Sequence, residues 1–203
     1  GHRRGMVGIE AAIVLIAFVI VAAAFSFMVV NMGLFSTQRG RETIQEAVQE
    51  ASSPLIIDGS LCVRATSENK VDAVIIPLKT IGIRYVSIAQ VSTVISLGVE
   101  NHTAIANIYD GINTTNPSGK TFDDLVAGMG AGTSAKFFIG NSDGDSSLDY
   151  DEKGFLVVYL ASSNQASERE HIFIEIRPEK GAASSIEFIV PSQLTQGWLA
   201  IGG

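Results

Sequence analysis

The chain has 203 residues, 46% of them hydrophobic and 17% charged, with a formal net charge of -7. That length holds one sizeable domain, or a domain plus an extended element. The acidic balance excludes a nucleic-acid surface, since no cluster of Lys and Arg follows Arg3-Arg4, and a single cysteine, Cys62, excludes an intrachain disulfide.

The apolar excess is concentrated near the N-terminus. Ala11 to Val30 reads AAIVLIAFVIVAAAFSFMVV, with Ser26 its one polar side chain, and no charge occurs between Glu10 and Arg39. Twenty such residues as a helix span ~30 Å, one bilayer core. A cleaved secretory signal is disfavoured, because its apolar part covers only about 7–15 residues and ends at a small-residue cleavage site. A single-pass anchor fits the run, with Arg3 and Arg4 marking the cytoplasmic side.

A third reading comes from the residues before the run, Arg3-Arg4-Gly5-Met6-Val7-Gly8-Ile9-Glu10. They resemble the processing site shared by archaellins (archaeal flagellins) and type IV pilins. The resemblance implies a prepilin-type peptidase cutting between Gly5 and Met6, with the apolar helix kept in the mature protein. Glu10 would then be the fifth mature residue, a frequent pilin feature that many archaellins lack. A carboxylate at the rim of an apolar run is costly unless paired. In stacked helices, the N-terminal amine of a neighbour is the expected partner of Glu10; the alternative is a carboxylate that snorkels to the membrane interface.

Beyond Val30 the pattern changes. Gly33 and Gly40 mark either a kink or a close approach between packed helices, since glycine costs a helix ~1 kcal/mol against alanine. Ile44, Val48 and Ala51 recur at helical spacing among Gln45, Glu46, Gln49 and Glu50, which is an amphipathic helix with one face available for its own domain. Pro54 after Ser52-Ser53 ends it. The chain therefore divides into residues 1–5, a leader end or extension; 6–53, the helix; and 54–203, an outer domain. The first half of the helix is apolar on every side. Lipid, or copies of itself, can bury it, and Glu10, Ile13, Phe18, Val21 and Phe25 are the expected assembly residues.

The outer domain is rich in Val, Ile, Thr, Ser and Gly. Expected strands are Leu61–Thr66, Val71–Leu78, Ile88–Val99, Ala104–Tyr109, Ala135–Ile139, Phe155–Ala161, His171–Arg177 and Ser185–Val190. Ile172, Ile174 and Ile176 alternate with Phe173, Glu175 and Arg177, as in a half-buried strand. Asp58-Gly59, Asp110-Gly111, Asn116-Pro117, Asp143-Gly144 and Lys180-Gly181 are turn signals. The tail, Glu175-Ile176-Arg177-Pro178 with Gly181-Ala182 and Ile186 to Pro191, again resembles archaellins. The expected fold class is α+β: a long N-terminal hydrophobic helix followed by an antiparallel, Ig-like β-sandwich or barrel.

Asn141 to Glu152 is the most acidic stretch. Asn141, Asp143, Asp145, Asp149 and Glu152 have the spacing of a calcium loop, although Ser146 stands where such a loop needs glycine. Some archaellins are similar in holding a metal, so Ca2+ or another divalent cation is one expectation and a solvated acidic turn the other. No cofactor is required. Asn101-His102-Thr103 and Asn113-Thr114-Thr115 are N-glycosylation sequons. Gly119-Lys120-Thr121 lacks the earlier glycine of a phosphate loop, and the glycines from Gly128 to Gly132 follow no strand–helix unit. The three histidines show no metal spacing, Cys62 reads as a small buried apolar residue, and no nucleophile–base pair is present, so an enzyme is not expected.

The resemblance implies a structural subunit of the archaeal motility filament, the archaellum. Its expected partners are copies of itself or paralogous subunits, the membrane before assembly, a prepilin peptidase, and an export and motor machinery. It implies an extracellular filament on the cell surface. The alternatives are an adhesion pilus subunit, and a single-pass membrane-anchored β-domain that binds a solute and stays monomeric.

Overall fold

The computed structural model describes residues 3–52 and 54–202, the side chains of 3–7, 49 and 51 excepted. The chain divides into two compact units, Gly1–Val48 and Gln49–Gly203. The first holds all but the last three residues of helix α1 (Arg3–Ala51), whose 49 residues run through Gly33 and Gly40 without interruption. Its length is ~74 Å at about 1.5 Å per residue. It starts upstream of the expected residue 6 and ends at Ala51; Ser53, the expected end, lies outside the described residues. The hydroxyls of Thr37 and Thr43 donate to the carbonyls of Gly33 (2.8 Å) and Arg39 (2.9 Å), each sharing an acceptor four residues back in the helix.

The outer domain contains β1 (Leu55–Ile57), β2 (Leu61–Ala65), β3 (Lys70–Thr80), β4 (Tyr85–Ser87), β5 (Val94–Val99), β6 (Tyr109–Asn113), α2 (Phe122–Ala127), β7 (Ser134–Gly140), β8 (Ser147–Asp149), β9 (Lys153–Tyr159), β10 (Ala166–Ser167), β11 (His171–Arg177), β12 (Ser184–Ile189) and β13 (Gly197–Ile201). The large sheet runs β13-β2-β3-β9-β7-β6, with β1 and β10 also pairing with β3. A second sheet runs β12-β11-β5, and β4 pairs with β8. Every pairing is antiparallel except β6 with β7, which is parallel. The domain is thus mostly, not wholly, antiparallel.

One core lies between the two larger sheets. Val63, Val74, Ile76, Leu156 and Val158 meet Ile95, Leu97, Ile172, Ile174 and Ile176 there. The outer face of the large sheet is covered by α2, whose Leu125 and Val126 pack on Ala73, Ile75, Phe138 and Val157. Being buried on both faces explains why β3 and β9 carry unbroken apolar runs rather than alternation. Strand β11 is covered on one face and alternates as expected, with Ile172, Ile174 and Ile176 fully buried. Pro77 is tolerated in the middle of β3 because its carbonyl accepts Asp58 N–H (2.9 Å). The N–H that proline lacks therefore faces the β1–β2 turn, not β9.

Three expectations are corrected. Ile88–Val99 is not one strand; a turn closed by Ser92 and Thr93 N–H on the Ala89 carbonyl precedes β5. Ala104–Tyr109 is not a strand: Ile105 makes an isolated bridge to Leu97, and the strand begins at Tyr109. The Asn107 carboxamide oxygen accepts from the N–H groups of Ile95 (3.4 Å) and Tyr109 (3.0 Å), replacing a ladder that would have continued there. Cys62 is half-buried, beside the outer cluster, and burial raises its thiol pKa.

Candidate functional site

The functional surface is α1. Every large apolar side chain from Ile9 to Phe35 is 55–76% exposed within the chain, including Ile13, Phe18, Val21 and Phe25. Ile44 and Val48, on the amphipathic half, are 65% and 61% exposed. Burying a large aliphatic or aromatic side chain stabilises by about 1.5–3 kcal/mol relative to water. A helix bare on all sides is therefore compatible with lipid or with a packed assembly, and not with free solution. Ala11, Ala12, Ala17, Ala22, Ala23 and Ala24 lie along the same run; small residues let helix backbones approach closely where aliphatic packing, not water exclusion, drives association. Glu10 is exposed at the start of the run, beside Ala11, Val14 and Leu15. Of the expected processing residues, Gly5 and Met6, the helical backbone alone is described.

The acidic loop is closed by its own backbone. Glu152 is 6% exposed, and its two carboxylate oxygens accept from Asp143 N–H and Asp149 N–H, each at 3.0 Å. Asp143 accepts from Asp145 N–H (3.1 Å). Asp145 accepts from the Ser147 hydroxyl (2.6 Å) and N–H (2.8 Å), which hold its carboxyl below the ordinary aspartate range. Asn141 takes a left-handed conformation (φ 65°) at the loop entrance. Among the described residues no group of three or more His, Cys, Asp and Glu side chains could hold a metal. Asp149 Oδ1 is the one enclosed acceptor of the loop without a partner. Asn141, Asp143, Asp149 and Glu152 line one shallow cleft, but in this conformation their side chains form no ready-made ligand shell. Glu152→Gln is expected to leave one of these hydrogen bonds uncharged and to lose the other, because the NH2 that replaces an oxygen cannot accept an N–H; bonds to a charged group are worth about 1.5–3 kcal/mol each. Faster proteolytic cleavage between residues 141 and 152 is the measurement; an unchanged cleavage rate would remove Glu152 as the closure.

The two sequons differ in setting. Asn101 is exposed, with φ 64°, and its carboxamide donates to Glu170 (3.3 Å). Asn113 is half-buried at the end of β6, where its side-chain oxygen accepts Thr115 N–H (2.9 Å). Gly119-Lys120-Thr121 leads into α2: Thr121 is its N-cap and exchanges hydrogen bonds with Asp124 in a capping box. That Thr-x-x-Asp signal was present in the sequence and could have predicted the helix.

Two constellations were not foreseen. Arg64 grips Asp72 through two nitrogens (2.9 and 2.8 Å), reaches Asp123 (3.2 Å), and stands over the Trp198 ring (5.8 Å). Trp198 Nε1 donates to the same Asp123 (3.1 Å), so β2, β3, α2 and β13 share one polar clasp. At the start of the domain, Ala182 N–H donates to the Ser52 carbonyl (3.0 Å) and Ile81 N–H to the Pro54 carbonyl (2.9 Å). Gly181, with φ 98°, lies so close that a Cβ there would stand 2.8 Å from Pro54 Cδ and 2.9 Å from Ser52 O. Sequence spacing marks Lys180-Gly181 as a turn but carries no sign of what the turn touches.

These features agree with what the chain is similar to. A "Probable flagellin 1" of Aeropyrum pernix is 40% identical over 200 residues, covering 97% of this chain and 96% of that protein. A "Probable flagellin 1" of Archaeoglobus fulgidus is 27% identical, covering 95% and 93%. Among solved structures, the archaeal flagellum of Methanospirillum hungatei strain JF1 matches with TM-score 0.54 at 21% identity, over 95% of this chain and 98% of that one. The crystal structure of archaeal flagellin FlaB1 from Methanocaldococcus jannaschii matches with TM-score 0.57 at 17% identity, over 72% and 94%. Residues 5–188 match the family Archaeal-type flagellin, and the chain belongs to it.

Proposed function

We propose that residues 11–38 of α1 hold the filament together by exchanging lipid for copies of the same helix. The chain is a structural subunit of the archaeal motility filament, on the strength of its family and of the relative 40% identical along almost all of its length. It is not an enzyme, and its place is in a surface filament outside the cell. The observation that carries the mechanism is the bare apolar helix, 55–76% exposed from Ile9 to Phe35. Before assembly the run spans a bilayer, with every backbone group satisfied inside the helix. Afterwards the same side chains form the filament core and the β-sandwich faces outward. Leucine-like surface gains little from leaving lipid, so shape-matched packing supplies the stability.

The supporting roles are those that the resemblance to archaellins and type IV pilins implies. A prepilin-type peptidase cuts between Gly5 and Met6, and an export and motor machinery receives the subunit. Glu10 pairs with the N-terminal amine of a neighbour, because its position at the edge of an uncharged run leaves a carboxylate costly to bury alone. Glycans attach at Asn101 more readily than at Asn113, whose side chain is half-buried and engaged in a turn.

One experiment tests these roles together. Filaments sheared from cells are analysed by intact-chain mass spectrometry, and the gene is deleted. The expected result is this chain in the filaments, starting at Met6 and carrying added mass on Asn101, with swimming lost in the deletion strain. Adhesion lost while swimming persists assigns it instead to an adhesion pilus. Recovery only from membranes, as a monomer, makes it an anchored domain.

A further inference from the structure

We infer that Asn31 sets the register of helix packing in the filament, by hydrogen bonding to the helix of a neighbouring copy. The inference rests on the polymer reading above. Between Ala11 and Thr37 the polar side chains are Ser26, Asn31, Ser36 and Thr37. Thr37 is satisfied within its own helix, at the Gly33 carbonyl. Asn31 makes no side-chain hydrogen bond among the described residues and is exposed. It is the one carboxamide inside the run, Gln38 standing at its very end beside Arg39, with two donors and an acceptor to satisfy. It lies in a shallow groove walled by Phe27, Met28, Met32 and Phe35, with Ala24 and Arg39 at its ends.

The occupant is a second copy's α1. Asn31 stands just past the twenty-residue span Ala11–Val30, so before assembly it lies at the edge of the hydrocarbon, and packing against another helix is what encloses it. An aliphatic surface that is similar on every side is nearly indifferent to sliding against its equal. A lone carboxamide is not, because it leaves donors and acceptor bare in every register except those that present a polar atom. In the run of a neighbouring copy, those atoms belong to Ser26, Ser36, Gln38 and Asn31 itself. Polar side chains buried between apolar helices select arrangement at some expense of strength. Asn31 therefore tells one packing from its near-equivalents, while Ile13, Val21 and Phe25 contribute the bulk of the contact.

The test is Asn31→Leu in the full chain, with Met28→Leu as a volume-conserving control in the same groove and Asn31→Gln as the conservative rescue. The readouts are helical symmetry by electron microscopy and the temperature at which filaments fall apart. The expected result is that Asn31→Leu filaments form and withstand at least the wild-type temperature, yet divide into more than one helical symmetry. Met28→Leu and Asn31→Gln keep one. A single, unchanged symmetry for Asn31→Leu overturns the inference and leaves the polymer reading standing. So does complete failure of Asn31→Leu to assemble while Met28→Leu assembles, since Asn31 would then drive association rather than select its register. Absence of the wild-type chain from filaments is a different outcome, and sinks the polymer reading itself.

Discussion

Replacing Ile13 or Val21 with aspartate is expected to abolish the filament while leaving the outer domain folded. Both side chains are mostly exposed in the single chain, at 61% and 67%, so neither contributes to its core. In the proposed assembly both would be surrounded by apolar side chains of other copies. A carboxylate there has no partner, and an uncompensated buried charge costs several kcal/mol per ion. Each subunit carries the same substitution, so the penalty recurs at every addition. With every 1.4 kcal/mol worth a factor of ten in affinity, the subunit concentration needed for growth rises about a thousandfold or more. Val21→Asp has a second effect, because a charge near the middle of a bilayer-spanning run costs ~2.5–3.5 kcal/mol at insertion. Val21→Leu is the control and should assemble. Sheared surface material, imaged and weighed for this chain, decides the matter; normal filaments from either aspartate variant would show that α1 is not the core.

The second large effect is expected at Gly181. Alanine there meets two costs at once. The backbone has φ 98°, a conformation that L side chains rarely adopt, and the new Cβ would stand 2.8 Å from Pro54 Cδ and 2.9 Å from the Ser52 carbonyl oxygen. Neither neighbour can swing away: Pro54 is a closed ring, and the Ser52 carbonyl accepts Ala182 N–H from the same loop. Strain of this kind costs about 1–3 kcal/mol, and the contact adds to it. The domain of some 150 residues should then melt roughly 5–10 °C lower, at about 2–4 °C per kcal/mol. Gly144 supplies the control, because it has the same φ of 98° with nothing within 4 Å of its Cβ position. Gly144→Ala isolates the backbone cost, and the difference between the two variants measures the contact with Ser52 and Pro54. Equal melting shifts would show that the contact is relieved at no cost.

Much of the molecule is legible in its sequence. The twenty residues from Ala11 to Val30 form a helix in any setting that excludes water, because composition alone decides it. The alternation of Ile172, Ile174 and Ile176 fixed β11 to its observed bounds, since one face of that strand is covered and the other is not. The spans found imperfectly are those where local chemistry competes with pattern. Asn107 takes two backbone N–H groups and shifts the expected strand from Ala104–Tyr109 to Tyr109–Asn113. β1, β4, β8 and β10 are two or three residues long, too short for a period-two pattern to emerge.

The acidic loop shows the limit from the other direction. Its spacing matches a cation loop, yet spacing says which oxygens are near in the chain and not where each one points. Folding turns the two oxygens of Glu152 onto backbone N–H groups and those of Asp145 onto Ser147. What the sequence determined alone is the assembly helix, because an uncharged run needs no partner to be identified as apolar on every side. What only tertiary structure decided is the fate of each polar group. Arg64 meets Asp123 across 59 residues, and Trp198 meets it across 75. Hydrogen bonds act over about 3 Å, and a linear pattern carries no information about which distant residues the fold brings within that reach.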